Sequence, residues 1–254
     1  MIAAELFKKI ENVIPLEIAL KEDTVGFIGP GAPEEISVQK VLVLMDYIPP
    51  SELKFVSESL NSPINYEDYD LLITHHPPLV EPEIPTYVIH SNWDVIAGGA
   101  CDALASALEI EIEGILDSDT GLGRIGSPLN GPISMEDLIN LIKEKLDVYC
   151  IKSVLNTEFL EKKDQKINKI AIVSGFGLNP HFIKIAHAKG AEVYISGDLT
   201  HSGAILAKLL GINLIDVNHH TSEIPGLYAL ANIIRDFGVN VEIFDTGVPW
   251  DIQF

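Results

Sequence analysis

The chain of 254 residues is 47% hydrophobic and 21% charged, material for one large or two modest domains around a substantial core, and disorder is not expected. Its formal charge of −20 repels phosphate backbones, which disfavours nonspecific nucleic-acid binding through a basic surface, and it attracts divalent cations. No apolar run reaches the roughly 18 to 20 residues of a membrane span and the N-terminal segment has no secretory apolar core, so a cytoplasmic protein without a membrane partner is expected.

The amphipathic N-terminal segment predicts a helix near residues 2–13, followed by strands near 14–20 and 40–47. A helix is expected near 50–60, strands at 70–75 and 86–90, then an Ala-rich helix near 97–108. That helix carries Cys101 as a small core residue; Cys150 lies far along the chain, and the two form no metal or redox motif. A Gly- and Pro-bearing stretch at 117–132 then separates two halves. Ser134 is placed to cap a helix with Asp137 at its third position, and Leu138, Ile139, Ile142 and Leu146 recur at helical spacing. Beyond it the pattern gives strands at 150–155 and 169–174, a helix at 179–189, a strand at 191–196 and a helix at 201–210. A strand at 212–217, a helix near 224–237 and a strand at 240–245 complete the chain, with Gly190, Gly211 and Gly238 marking helix ends. This alternation predicts an α/β protein with mostly parallel, mixed sheets.

The halves can be superimposed. Residues 41–45 match 170–174, residues 71–76 match 193–198, and residues 87–90 match 216–219, with Asp94 opposite Glu223. The reading is of two intertwined, pseudo-duplicated α/β repeats, 1–125 and 126–254, with a site in the cleft between them.

His75 and His76 close the apolar run Leu71–Thr74, and two imidazoles at a strand end suit metal better than a core. His90–Asp94 and His219–Glu223 each place a carboxylate four residues after a histidine, also at expected strand ends, where open α/β sheets bind ligands. A single such pair is ordinarily a surface helix pair, and a lone His-His a loop feature. Their joint occurrence in a strongly acidic chain points to His75, His76, Asp94, His219 and Glu223 as ligands of two divalent ions. His90 is read as a proton shuttle or as a group orienting Asp94, and His201 as a general acid or a helix-start surface residue. His220 is a third candidate for proton transfer, while Asp198 stands as the repeat counterpart of His76. His181 and His187 are given no role.

The run Asp70–Leu79 resembles the histidine-pair signature of the GTP cyclohydrolase I type 2 / Nif-three-like family. His90–Asp94, the glycine motif Gly121–Gly126 and the element His219–Glu223 resemble three further motifs of that family. The resemblance implies paired α/β repeats, a dinuclear metal site on the same five residues, and a toroidal homohexamer. The segment Ser174–Asn179 carries fewer small residues than relatives do, and His220 replaces a frequent tyrosine.

Two functions are open at this point. One is a metal-dependent hydrolase for a nucleotide-like or phosphate-containing small molecule, using zinc, iron, manganese or nickel. The other is a non-catalytic, metal-stabilised ring that serves as an interaction module for protein or, against its net charge, nucleic acid. No P-loop is present, and basic residues near the expected site are sparse apart from Arg124.

Overall fold

The computed structural model describes residues 1–53, 64–156 and 165–250. The chain divides into two compact units, Met1–Ile96 with Leu227–Phe254, and Ala97–Gly226. In chain order the first unit supplies α1 (Ala3–Val13), β1 (Gly26–Ile28), β2 (Lys40–Leu44), β3 (Leu71–Thr74), β4 (Thr86–Val88) and α2 (Ser91–Val95). The second supplies α3 (Ala100–Ala107), β5 (Ile110–Ile115), β6 (Arg124–Pro128), β7 (Ile133–Ser134), α4 (Met135–Lys145), β8 (Lys152–Val154) and β9 (Lys166–Ile167). It continues with β10 (Ile170–Phe176), α5 (Pro180–Ala188), β11 (Val193–Gly197), α6 (His201–Leu210), β12 (Asn213–Asp216) and the start of α7 (His219–Asp236). The rest of α7 and β13 (Asn240–Phe244) belong to the first unit.

The first unit holds a five-stranded sheet in the order β1-β4-β3-β2-β13, parallel except where β1 meets β4. Its central strands Val41–Leu44 and Leu71–Thr74 are continuously buried, as strands covered on both faces must be. The second unit holds a six-stranded sheet, β5-β6-β10-β11-β12-β8. Its central trio is parallel, whereas β5, β6 and β8 run antiparallel at the two flanks. One face of that sheet packs on Leu104, Leu108, Leu138 and Ile142, and another cluster gathers Ala171, Val173, Phe182, Ile183 and Leu214. The fold is mixed α/β. The internal repeat extends to register: Val41 pairs with Leu71 in the first unit as Ile170 pairs with Val193 in the second. Against the superposition, the pairing of the third strand is offset by one residue, Leu72 with Thr86 but Val193 with Asn213.

Several expectations change. Residues 14–20 form no strand; Leu16–Ile18 is a 3-10 turn after Pro15, closed by Ala19 N–H bonding Leu16 O at 3.1 Å. The helix expected near 50–60 is present at residues 50–53, and residues 54–60 lie outside the described ones. The stretch 117–132 is not merely a separator, because it contains β6, which pairs antiparallel with the unforeseen strand β5. Helix α7 begins at His219 rather than near 224. Pro225, which lacks an N–H and is favoured in a first turn, here lies inside the helix.

Ser134 caps α4 as expected: its Oγ accepts from Asp137 N–H at 3.1 Å and donates to Asp137 Oδ2 at 2.6 Å. No helix among the described residues is long and apolar enough to cross a membrane.

Candidate metal centre

In the first unit the backbone ladder continues past the strand ends. His75 N–H bonds Leu44 O at 3.0 Å, His76 N–H bonds Met45 O at 2.9 Å, and Ile89 N–H bonds Thr74 O at 2.9 Å. Both histidines are therefore held as sheet residues at the carboxyl end of β3. Adjacent β4 delivers His90, and Asp94 follows on the short helix α2. The rings of His75, His76 and His90 gather with centroids 5.0 to 5.6 Å apart. Their nitrogens include one from each residue within 4.8 Å of the others, a group able to hold a metal ion. His75 Nε2 lies 3.6 Å from Asp94 Oδ1, with both side chains buried.

The opposite ring nitrogen of each histidine is engaged. His75 Nδ1 donates to Ile89 O at 2.9 Å, His76 Nδ1 to Asp46 Oδ1 at 2.9 Å, and His90 Nδ1 to Asp23 Oδ1 at 2.8 Å. A backbone carbonyl and an ionised carboxylate can only accept, so Nδ1 carries the proton and Nε2 carries the lone pair in each neutral imidazole. Metal-binding histidines are characteristically oriented in this way.

Burial and the neighbouring His75 lower the proton affinity of His90, and Asp23 opposes them in part. Burial would raise the Asp23 carboxyl, but hydrogen bonds from Ser91 and His90 outweigh it and hold it below the usual carboxylate range. Both Ser91 N–H and Ser91 Oγ bond Asp23 Oδ2.

The second unit builds its share on a helix. His219 and Glu223 occupy successive turns at the start of α7, and His219 Nε2 stands 3.1 Å from Glu223 Oε1. His219 Nδ1 bonds Asp198 Oδ2 at 2.6 Å, the same engagement seen in the first unit. Asp198 adopts a left-handed backbone, φ 56°, just beyond β11, and Asn218 does so at φ 70° before His219. Such strain in non-glycine residues concentrates at functional sites.

Ser222 is fully buried and ties the helix to β10: Gly175 N–H bonds Ser222 Oγ at 2.8 Å, and Ser174 Oγ bonds Ser222 O at 3.2 Å. Gly175 has φ 77°, and a Cβ there would collide with Glu223 Oε1 and stand 3.2 Å from His219 Nε2. Only glycine admits this approach.

The other expected residues are placed as follows. His220 is buried in the first turn of α7 beside His219. His201 is exposed as the first residue of α6, where Thr200 Oγ1 caps the helix by accepting from Gly203 N–H at 3.0 Å. Arg124 is 3% exposed, bridges to Asp102, and donates to Gly121 O and Gly123 O, so it shapes the glycine turn. Asp23, Asp46 and Ser222 were missed as supporting residues. Asp46 ends the strand beside β3 in the chain pattern, which was the available signal; the pairing of Asp23 with a histidine 67 residues away left none.

Known proteins resemble this chain over most of its length. A curated relative from Methanothermobacter thermautotrophicus, named a GTP cyclohydrolase 1 type 2 homolog, is 43% identical over 96% of this chain and 93% of that protein. The solved structure of reduced HcgD from Methanocaldococcus jannaschii aligns with a TM-score of 0.75 at 28% identity, covering 98% of each chain. A hypothetical protein of Staphylococcus aureus shares the fold at a TM-score of 0.80 and 23% identity, covering 100% of this chain and 99% of that one. The model of the Duf34/NIF3 (NGG1p interacting factor 3) family matches residues 78–248, and with the relative above it establishes that this chain belongs to that family.

Proposed function

We propose that the protein is a dinuclear metal-dependent hydrolase for a nucleotide or another phosphate-containing small molecule. In this reading the ligands are His75, His76 and Asp94 of the first unit and His219 and Glu223 of the second. The observation that carries the reading is that Nδ1 of His75, of His76 and of His219 is engaged by an acceptor, so that Nε2 is the nitrogen each would offer a dication. The glycine-only approach of β10 to His219 and Glu223 fits a crowded, pre-shaped donor set. When bound, the two dications supply Lewis acidity and a water of lowered pKa.

The chain's own residues have defined tasks. Ile89 O, Asp46 and Asp198 fix the imidazole orientations, while Ser222 holds the start of α7 against β10. His220 is positioned beside His219 in sequence as a carrier of a proton to a leaving group. With Arg124 committed to Asp102, substrate phosphate would be held by metal and backbone amides rather than by that guanidinium. A toroidal homohexamer belongs to the same proposal, and light scattering of the purified protein tests it.

The central test uses protein purified without added metal, analysed for zinc, iron, manganese and nickel, then assayed on a panel of nucleotides and phosphoesters. Turnover that vanishes in His75→Ala supports the hydrolase. Two metals per chain without turnover on any substrate favours the interaction module instead.

A further inference from the structure

We infer that the outer face of α5 and α6 is a contact surface between copies of this chain, one that takes the acidic edge strand β5 of a neighbouring copy. The inference rests on the ring proposed above and assigns its contact surfaces, both within the second unit. The first observation is charge. In a chain of formal charge −20, residues 177–191 and 199–215 contain no carboxylate, while three lysines (Lys184, Lys189 and Lys208) and three histidines (His181, His187 and His201) stand exposed there. Several lysines elsewhere are matched: Lys40 with Glu242, Lys145 with Glu109, Lys152 with Asp216, and Lys169 with Glu113. Lys184 and Lys208 have no such partner among the described residues. Asp117, whose Oδ2 lies 3.8 Å from His181 Nε2, is itself buried. Two copies meeting through average surface would set acid against acid, whereas this face attracts a neighbour's carboxylates.

The second observation is hydropathy. Helix α6 buries Gly203 and Ala207, and a Cβ on Gly203 would stand 2.9 Å from Ile183 Cδ1 of α5. Its outer side is apolar as well, with Ile205 50% and Leu209 79% exposed on successive turns. A helix that is apolar all round belongs in a covered position. The third observation is β5, the outermost strand of the six-stranded sheet, which pairs with β6 alone among the described residues. Glu111, Ile112, Glu113 and Ile115 are exposed along it, so carboxylates and isoleucines share one open edge, and such edges are covered or charged in stable folds. Glu113 already meets Lys169 at 3.6 Å, and Ile115 O accepts from Lys189 Nζ at 2.8 Å, which leaves Glu111 and Ile112 for a neighbour. A basic, apolar helix face and an acidic, apolar strand edge are unlike patches, and a contact between unlike patches closes into a ring when its rotation allows.

Light scattering and sedimentation of the full chain measure the assembled mass as a multiple of the 27.8 kDa chain. Lys208→Glu and Leu209→Glu should each raise the concentration at half-dissociation roughly tenfold or more. Added salt should weaken assembly of the unaltered protein. Lys208→Glu combined with Glu111→Lys in one chain restores opposite charges across every contact, and its assembled mass should return to that of the unaltered protein. Full assembly retained in Lys208→Glu and Leu209→Glu, or no recovery in the combined variant, would overturn the assignment while leaving the ring standing. A single-chain mass for the unaltered protein would sink both. Circular dichroism separates a lost contact from a lost fold, and Ile205→Ser repeats the test if a glutamate variant does not fold.

Discussion

His75 and His76 are held by a strand ladder: their own backbone N–H groups bond Leu44 and Met45, and a carbonyl and a carboxylate orient their rings. His219 and Glu223 stand instead on the first turns of a helix, secured by a buried serine, a left-handed aspartate and a glycine with no room for a side chain. Both sets lie beyond the carboxyl ends of parallel strands, four in the first unit and three in the second. The first is rigid because it continues regular structure, and the second because strained backbone is locked in by close contacts. Substitutions that spare the side-chain donors should therefore damage the second unit far more than the first.

Gly175→Ala should have the largest effect. It combines an unfavourable left-handed backbone with a collision at Glu223, together worth about 2 to 5 kcal/mol. Gly190, at φ 79° with nothing near its absent Cβ, provides the control, where alanine should cost only about 1 to 2 kcal/mol. Denaturant titrations of the two variants, with metal content measured alongside, would break the comparison if both lost equal stability.

Asp46→Asn and Asp198→Asn come next. Each keeps the side-chain shape but removes the charge behind a histidine, and metal affinity should fall roughly 10- to 100-fold. Asparagine tolerates a left-handed backbone, so Asp198→Asn should leave the folded state nearly as stable as before. Calorimetric metal titration would check the affinity, and a large loss of melting temperature in Asp198→Asn would argue that the carboxylate is structural.

Ser222→Ala removes the acceptor of the buried Gly175 N–H, at a cost of about 1 to 3 kcal/mol. Hydrogen exchange should show faster opening at Gly175 with no change at His75. Uniformly faster exchange in both units would show that the helix start is not secured locally.

The mildest difference lies in acid. Asp23 of the first unit and Asp117 of the second both have carboxyls held below the ordinary aspartate range, against opposing burial, by hydrogen bonds from Ser91 and His90 and from Thr120 and Asp119 respectively. A depressed folded pKa means that each contributes stability above about pH 3.8, which is lost as pH falls through the lower folded value. Asp117→Asn should flatten the acid limb of the second unit's unfolding and leave that of the first, as followed by residue-resolved NMR. An unchanged acid limb would discount Asp117.

Local pattern carried much of this molecule. The buried run Leu71–Thr74 ending in His75 and His76, the Ser134 cap, and the glycine helix ends were legible because each depends on residues close in sequence. The alternation in Ile110–Ile115 was equally legible and went unread, overshadowed by the glycine-rich stretch that follows it. The start of α7 lies five residues before the expected 224, where Ser222 in its first turns is held by the Gly175 N–H far away in the chain.

The sequence by itself singled out the candidate donor residues and determined the alternating element types, since periodicity and residue chemistry are local properties. Only the tertiary structure decided which acceptor backs each imidazole, that Arg124 turns inward to Asp102, and that Gly175 lies against Glu223. Those relations join residues 14 to 67 positions apart, or depend on a backbone angle, and no local preference encodes the distance between them.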